Sequence, residues 1–255
     1  MKSLLKMTWM ESKLFLREPV NAFFTLIFPL MMLFIFGGIY SSAPIPGGNG
    51  AQGATSILIP AFTAMIIGMI GLMSVTITLA TYRENGILRR LRTTPISPLV
   101  VMVAQVIVVF VMTLLGVILL VIAGLLFYHV RFEGNILSIF AGFVLGSLSF
   151  FGFGLILAST MPTARTAQIV GLVLLYPMLI LSGAGWPREL MPASVLKISE
   201  FLPLTYVVNL LRGLWVGEAW SQHLLDVGVL AVMLVVGVLA GAPTCPARGT
   251  QRDCP

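Results

Sequence analysis

The chain has 255 residues, 58 % of them hydrophobic and only 9 % charged, with a mean hydropathy of +1.03. An ordinary soluble domain carries about 25 % charged residues, and no soluble fold of this size hides so much apolar surface. Composition therefore excludes a soluble enzyme, a disordered chain and a disulfide scaffold, and leaves an all-α polytopic membrane protein. The net charge of +6 suits loops on an anionic leaflet better than nucleic acid.

The amino-terminal stretch MKSLLKMTWMESKLFLREP comes first. At 100° per residue, Lys2, Lys6, Lys13 and Arg17 fall within an arc of roughly 60°. Such a stripe can lie on anionic headgroups with its stems snorkelling. The apolar residues Leu4, Leu5, Trp9, Leu14, Phe15 and Leu16 are spread widely, and Glu11 interrupts them. Pro19 ends the helix.

No charged residue occurs between Pro19 and Tyr82, and SSAPIPGGNGAQG divides that interval. With about 20 apolar residues needed per crossing, it holds two spans, near 20–40 and 56–81. Later apolar intervals place further spans near 99–127, 135–160, 166–183 and 224–242, the last with Asp226 at its edge, six in all. The first is read as a retained helix, since its apolar run is too long for a cleaved signal. The amino end, the 82–98 loop, the 161–166 turn and the tail carry eleven basic against four acidic residues. The opposite loops carry four against five, which puts both termini in the cytoplasm. The expected organisation is one domain over 1–241, then an atypical, disordered tail at 242–255. No internal repeat stands out, which weighs against inverted-repeat carriers.

The loop YRENGILRRLRTTPISP between spans two and three is the most informative. Gly86 to Thr93 can make two helical turns stopped by Pro95 and Pro98. Ile87, Leu88 and Leu91 form an apolar ridge, with Arg89, Arg90 and Arg92 around it. An apolar ridge with a basic rim suits a groove on a partner protein. Between spans five and six, Gly183, Gly185, Pro187, Pro192 and Pro203 punctuate a segment too polar to span and too apolar to be free. Short helices are expected over Glu189–Glu200 and Leu204–Val216. In the second, Tyr206, Val207, Leu210, Leu211 and Leu214 share a face. Such helices can dip into the outer leaflet when protein shields them.

The sequence has no G-x-x-x-x-G-K-[ST], H-E-x-x-H, G-x-S-x-G or C-x-x-C pattern. Cys245 and Cys254 make no metal spacing with His129 and His223, so neither catalytic residues nor metal ligands are expected. The spans hold no deep ionisable group of the kind that ion coupling requires. His223 and Asp226 read as boundary residues. Any transport must draw its energy from another chain.

Two segments carry a family resemblance. RENGILRRLRTTPISP is similar to an E-x-G-x-L-x-x-L-x-x-T-P cytoplasmic loop, and SGAGWPRELMPASVLKISEFLPLTYVVNLLRG to an SG…P…P…P-L-T-Y…R segment. Over about residues 1–241 the chain resembles the permease of type-2 ATP-binding-cassette exporters. The resemblance implies a dimer of six-span subunits, identical or paralogous, above two separate ATPase subunits that bind ATP and Mg; this chain itself takes no cofactor. It implies an amino-terminal interfacial helix that contacts the ATPase. It also implies an ATPase-coupling helix at Glu84, Gly86, Ile87, Leu88, Arg89, Arg90, Leu91, Arg92, Thr94 and Pro95. Re-entrant extracellular helices would form a gate from Gly183, Gly185, Pro187, Pro192, Pro203, Tyr206 and Arg212. Export of a hydrophobic or amphipathic small molecule (a drug, an antibiotic or a lipid-like compound) across the cytoplasmic membrane is the expectation. Phe24, Phe28, Met65, Met69, Tyr176 and Met178 are candidates for an adaptable apolar pathway. The alternatives are a permease for a lipid-linked glycan, or a stand-alone scramblase or assembly factor. The ending GAPTCPARGTQRDCP departs from the family pattern; a native tail and a reading frame altered near Gly241 are both open for it.

Overall fold

A computed structural model describes residues 2–17, 23–40, 54–86, 98–128, 130, 134–185, 188 and 191–241. Helix α1 is Lys2–Arg17. Helix α2 covers 23–40, with a π-helical opening at Phe23–Ile27 followed by Phe28–Tyr40. Helix α3 covers 54–84, and its α-helical parts Ala54–Met69 and Thr76–Glu84 flank a π-helical segment, Ile70–Val75. Then come α4 (Pro98–Tyr128), α5 (Ile136–Thr160) and α6 (Ala164–Leu181). Two shorter helices follow, α7 (Ala193–Ser199) and α8 (Pro203–Val216). A 3-10 turn at Trp220–His223 leads into α9 (Leu224–Gly241). The described residues contain no strand.

Among the described residues, five helical stretches are long and apolar enough to cross a membrane: Ile57–Glu84, Val100–Tyr128, Ile136–Thr160, Ala164–Leu181 and Trp220–Leu239. The apolar run of α2, Phe23–Ile39, is shorter, and residues 18–22 of the expected first span lie outside the described residues. The 242–255 tail lies outside them as well.

Helix α3 is the hub. Inside the protein it buries 83 % of its apolar window, against 17 % for α9. It touches α2, α4, α5, α6 and α8, so every face of it has to be apolar, in contrast to a one-sided helix. Small residues let backbones meet at two crossings. A Cβ on Gly154 of α5 would lie 2.1 Å from the Gly71 carbonyl oxygen of α3. A Cβ on Gly237 of α9 would lie 2.5 Å from the Cα of Gly152. Close approach of this kind drives helix association where lipid removes the ordinary hydrophobic force. Hydroxyls stitch the same crossings. Thr76 Oγ1 donates to the Gly154 carbonyl at 3.2 Å, and Ser149 Oγ donates to the Leu230 carbonyl at 2.7 Å.

Two expected bounds need correction. Helix α3 runs to Glu84 rather than stopping at 81, because each of its last three residues finds a polar partner described below. Helix α7 occupies 193–199 rather than 189–200. Pro192 precedes it and disfavours helix in the residue before itself.

Candidate functional site

The geometry divides between the two ends of the bundle and one cavity. Helix α5 has 25 residues, so the ends stand about 37 Å apart at 1.5 Å per residue.

At the first end, α1 lies against α4, with Phe15 buried beside Val108 and Met112. Glu11, one turn earlier on the same face, is buried and accepts a 2.6 Å hydrogen bond from the Tyr82 hydroxyl. Glu11, which interrupts the apolar pattern in the sequence, belongs to the protein-facing side of the helix. Lys13 and Arg17 are exposed, on the other side of the helix, and the Lys13 ammonium stands 5.3 Å from the Trp9 ring centre. Lys2 and Lys6 lie in the same helix.

Arg83 and Glu84 follow Tyr82 directly. The Arg83 guanidinium donates to the carbonyls of Ala158 (2.6 Å) and Ser159 (2.8 Å), at the end of α5. Glu84 Oε2 accepts from the Ala164 amide at 2.8 Å, at the start of α6. A cation thus sits on a helix carboxyl end and an anion on a helix amino end, each matched to the local dipole and to backbone groups that have no intrahelical partner. Gly86 adopts φ +63° and closes α3 with a bond from its amide to the Arg83 carbonyl, a left-handed cap suited to glycine. The rest of the coupling candidate, Ile87, Leu88, Arg89, Arg90, Leu91, Arg92, Thr94 and Pro95, lies outside the described residues.

A cavity of about 210 Å³ opens between α2, α3 and α6. Phe24, Thr25 and Phe28 line it from α2, Met69, Ile70, Met73, Ser74 and Ile77 from α3, and Gln168, Leu172, Leu175, Tyr176 and Leu179 from α6. Four pathway candidates, Phe24, Phe28, Met69 and Tyr176, meet here. Met65 and Met178 do not; both are buried in the core. Met178 is two residues from Tyr176, about 200° around the helix, and so faces the opposite way. Met65 lies one turn before Met69, within the enclosed part of α3. Among the described residues, no charged side chain lines the cavity. Its polar groups are Thr25, Ser74, Gln168 and the Tyr176 hydroxyl. Ser74 Oγ is buried without a hydrogen-bond partner, and it sits on the π-helical segment, a feature frequent at functional sites. Apolar spacing in the sequence gave no sign of Ser74 or of the widened turn.

At the second end, α8 inserts its apolar face. Val207, Leu210, Leu211 and Leu214 are buried, while Tyr206 is half-exposed and its hydroxyl donates to the Glu200 carbonyl at 2.6 Å. Pro203 sits in the first turn of α8, where its missing N–H costs nothing, and Arg212 is half-buried on the same helix. Gly183 turns with φ +87° directly beside the Arg188 side chain. Gly185 donates its amide to the Leu179 carbonyl at 2.8 Å. Arg188 also donates to Asn209, which ties this turn to α8. Pro192 caps α7, and Pro187 lies outside the described residues. His223 links Asp226 (2.9 Å from Nδ1) and Glu218 (2.8 Å from Nε2), so these boundary residues form a polar cluster.

Apolar helices of this length around a lined cavity define a multi-pass membrane protein. Its family follows from the sequence profile of the ABC-2 type transporter, which matches residues 2–215; the chain belongs to that family. It is similar to the probable multidrug ABC transporter permease YbhR of Escherichia coli K12, 26 % identical over 64 % of this chain and 44 % of the relative. The inner membrane transport permease YhhJ of the same organism is 27 % identical over 68 % of this chain and 49 % of that relative. The putative transport permease ycf38 of Cyanophora paradoxa is 26 % identical over 88 % of this chain and 81 % of the relative. The chain spans about half the length of the two E. coli relatives.

Proposed function

We propose that this chain is the permease subunit of an ATP-binding-cassette exporter in the cytoplasmic membrane. In this reading it crosses six times with both termini inside, pairs with a second permease copy, and works above ATPase subunits that bind ATP and Mg. The basic face of α1 rests on lipid headgroups, and the loop at 87–97 docks into the ATPase. Helices α7 and α8 act as the re-entrant outer gate. Relatives named as multidrug and transport permeases support the reading.

The observation that carries the substrate class is the uncharged cavity. An ion entering it would lose water and find no opposite charge, at a cost far above that of burying an apolar body. Methionine and aromatic walls suit cargoes of varied shape, and Ser74, Thr25 and Gln168 offer a few hydrogen bonds. The cargo is therefore a neutral hydrophobic or amphipathic molecule. The volume of about 210 Å³ falls short of the roughly 300–1,000 Å³ of sites for drug-sized ligands. Exposed Ile169, Val173, Tyr176 and Ile180 form a stripe on α6 beside its mouth, where a second copy would enlarge the chamber.

Inverted vesicles containing the chain and its co-expressed ATPase provide the test, with Nile red as a neutral probe and carboxyfluorescein as an anionic one. ATP-dependent uptake of Nile red alone is expected, reduced at least fivefold by Ser74→Trp, which fills the cavity. Equal uptake of both dyes, or Nile red uptake untouched by the substitution, contradicts the reading.

A further inference from the structure

Tyr82, Arg83 and Glu84 are consecutive, yet each binds a different neighbour. Successive helical residues point about 100° apart, so three in a row at a helix end reach three directions. Tyr82 reaches α1 through Glu11. Arg83 reaches the last carbonyls of α5, and Glu84 the first amide of α6.

We propose that these three side chains form a tripod that converts displacement of the 87–97 loop into joint movement of α1, α5 and α6, with Arg83 and Glu84 as positioning residues for coupling. The inference rests on the reading of that loop as the ATPase docking element.

Three features make the tripod a relay in addition to a set of caps. First, Arg83 and Glu84 bind backbone groups at helix ends, and a helix end carries the whole helix with it, while Tyr82 holds α1 through the buried Glu11 carboxylate. Second, α3 ends two residues later at the left-handed Gly86, so the lever from the loop to Glu84 is short. Third, α5 and α6 are joined only by residues 161–163, and that turn is itself fixed: Thr163 Oγ1 accepts from the Thr166 amide at 3.2 Å, and the Met161 amide donates to Leu157. The two helix ends therefore move together. From Ala164, the rigid body of α6 runs to Tyr176 at the cavity wall, about 18 Å at the helical rise. Both ionised contacts are charge-assisted, about twice as strong as neutral ones, and their directions fix orientation as well as distance.

The test is hydrogen exchange on the full chain with its ATPase in lipid nanodiscs, nucleotide-free against vanadate-trapped. In the wild type, trapping is expected to change exchange at least threefold both in 87–97 and in 158–167. In Glu84→Ala and in Arg83→Ala, the 87–97 response is expected to persist while the 158–167 response disappears. Glu84→Gln keeps an acceptor for the Ala164 amide and is expected to restore most of the 158–167 response, which a purely structural defect would not allow. A variant that keeps the full 158–167 response overturns the tripod and leaves the docking reading intact. A wild type silent at 87–97 overturns both.

Discussion

The two ends of the bundle are held by different physics. At one end, polar side chains of α3 clasp the termini of α5 and α6 and a buried carboxylate of α1, with distances of 2.6–2.8 Å. At the other, α8 is wedged in by Val207, Leu210, Leu211 and Leu214, all nearly inaccessible. Apolar burial is strong and without direction; hydrogen bonds to helix ends contribute less net energy but fix where things point. On the proposed reading, directional bonds suit the α3 end to transmission, and apolar burial anchors the α8 end.

That contrast can be broken by substitution. Leu210→Ala leaves a cavity in the α8 wedge and is expected to cost about 2–5 kcal/mol, read as a lower melting temperature in detergent. Gly237→Val forces apart the α5–α9 crossing, where the Gly152 backbone already stands within 3 Å of an added Cβ. Overpacking of this kind costs about 1–3 kcal/mol, seen as a smaller melting shift and as slower migration of the unheated protein in native gels. Tyr82→Phe removes the hydroxyl that donates to Glu11 and is expected to cost about 1.5 kcal/mol, the low end for a bond to a charged group. Its signature is faster proteolysis within α1 with little change in global melting. If Tyr82→Phe destabilised the protein as much as Leu210→Ala, the division of labour between the ends would be wrong.

Much of this architecture could be read from charge and hydropathy. The membrane-length helices fall within a few residues of the charge-free intervals, because a helix satisfies every backbone group within one apolar segment as it crosses lipid. The apolar face of α8 was legible from its spacing. What was hidden depends on neighbours. Arg83 and Glu84 look like ordinary loop charge until the ends of α5 and α6, some 75–80 residues away, are brought to them. Glu11 looks like a flaw in an amphipathic pattern until Tyr82 is placed beside it. The π-helical segment at Ile70–Val75 has no local signal, since it arises where Gly71 meets Gly154 and Thr76 bonds across to α5. Residue type alone makes Met65 and Met178 pathway candidates; helical angle and depth, which composition does not carry, put both in the core rather than on the cavity wall.

The central claim is that a separate motor drives this chain through the loop that follows the tripod. The direct measurement compares ATP hydrolysis with Nile red transport in the reconstituted complex carrying Leu88→Asp and Leu91→Asp together. The account predicts intact membrane insertion, hydrolysis that continues, and transport per ATP reduced at least tenfold. Coupled transport at the wild-type ratio in that double variant would contradict it.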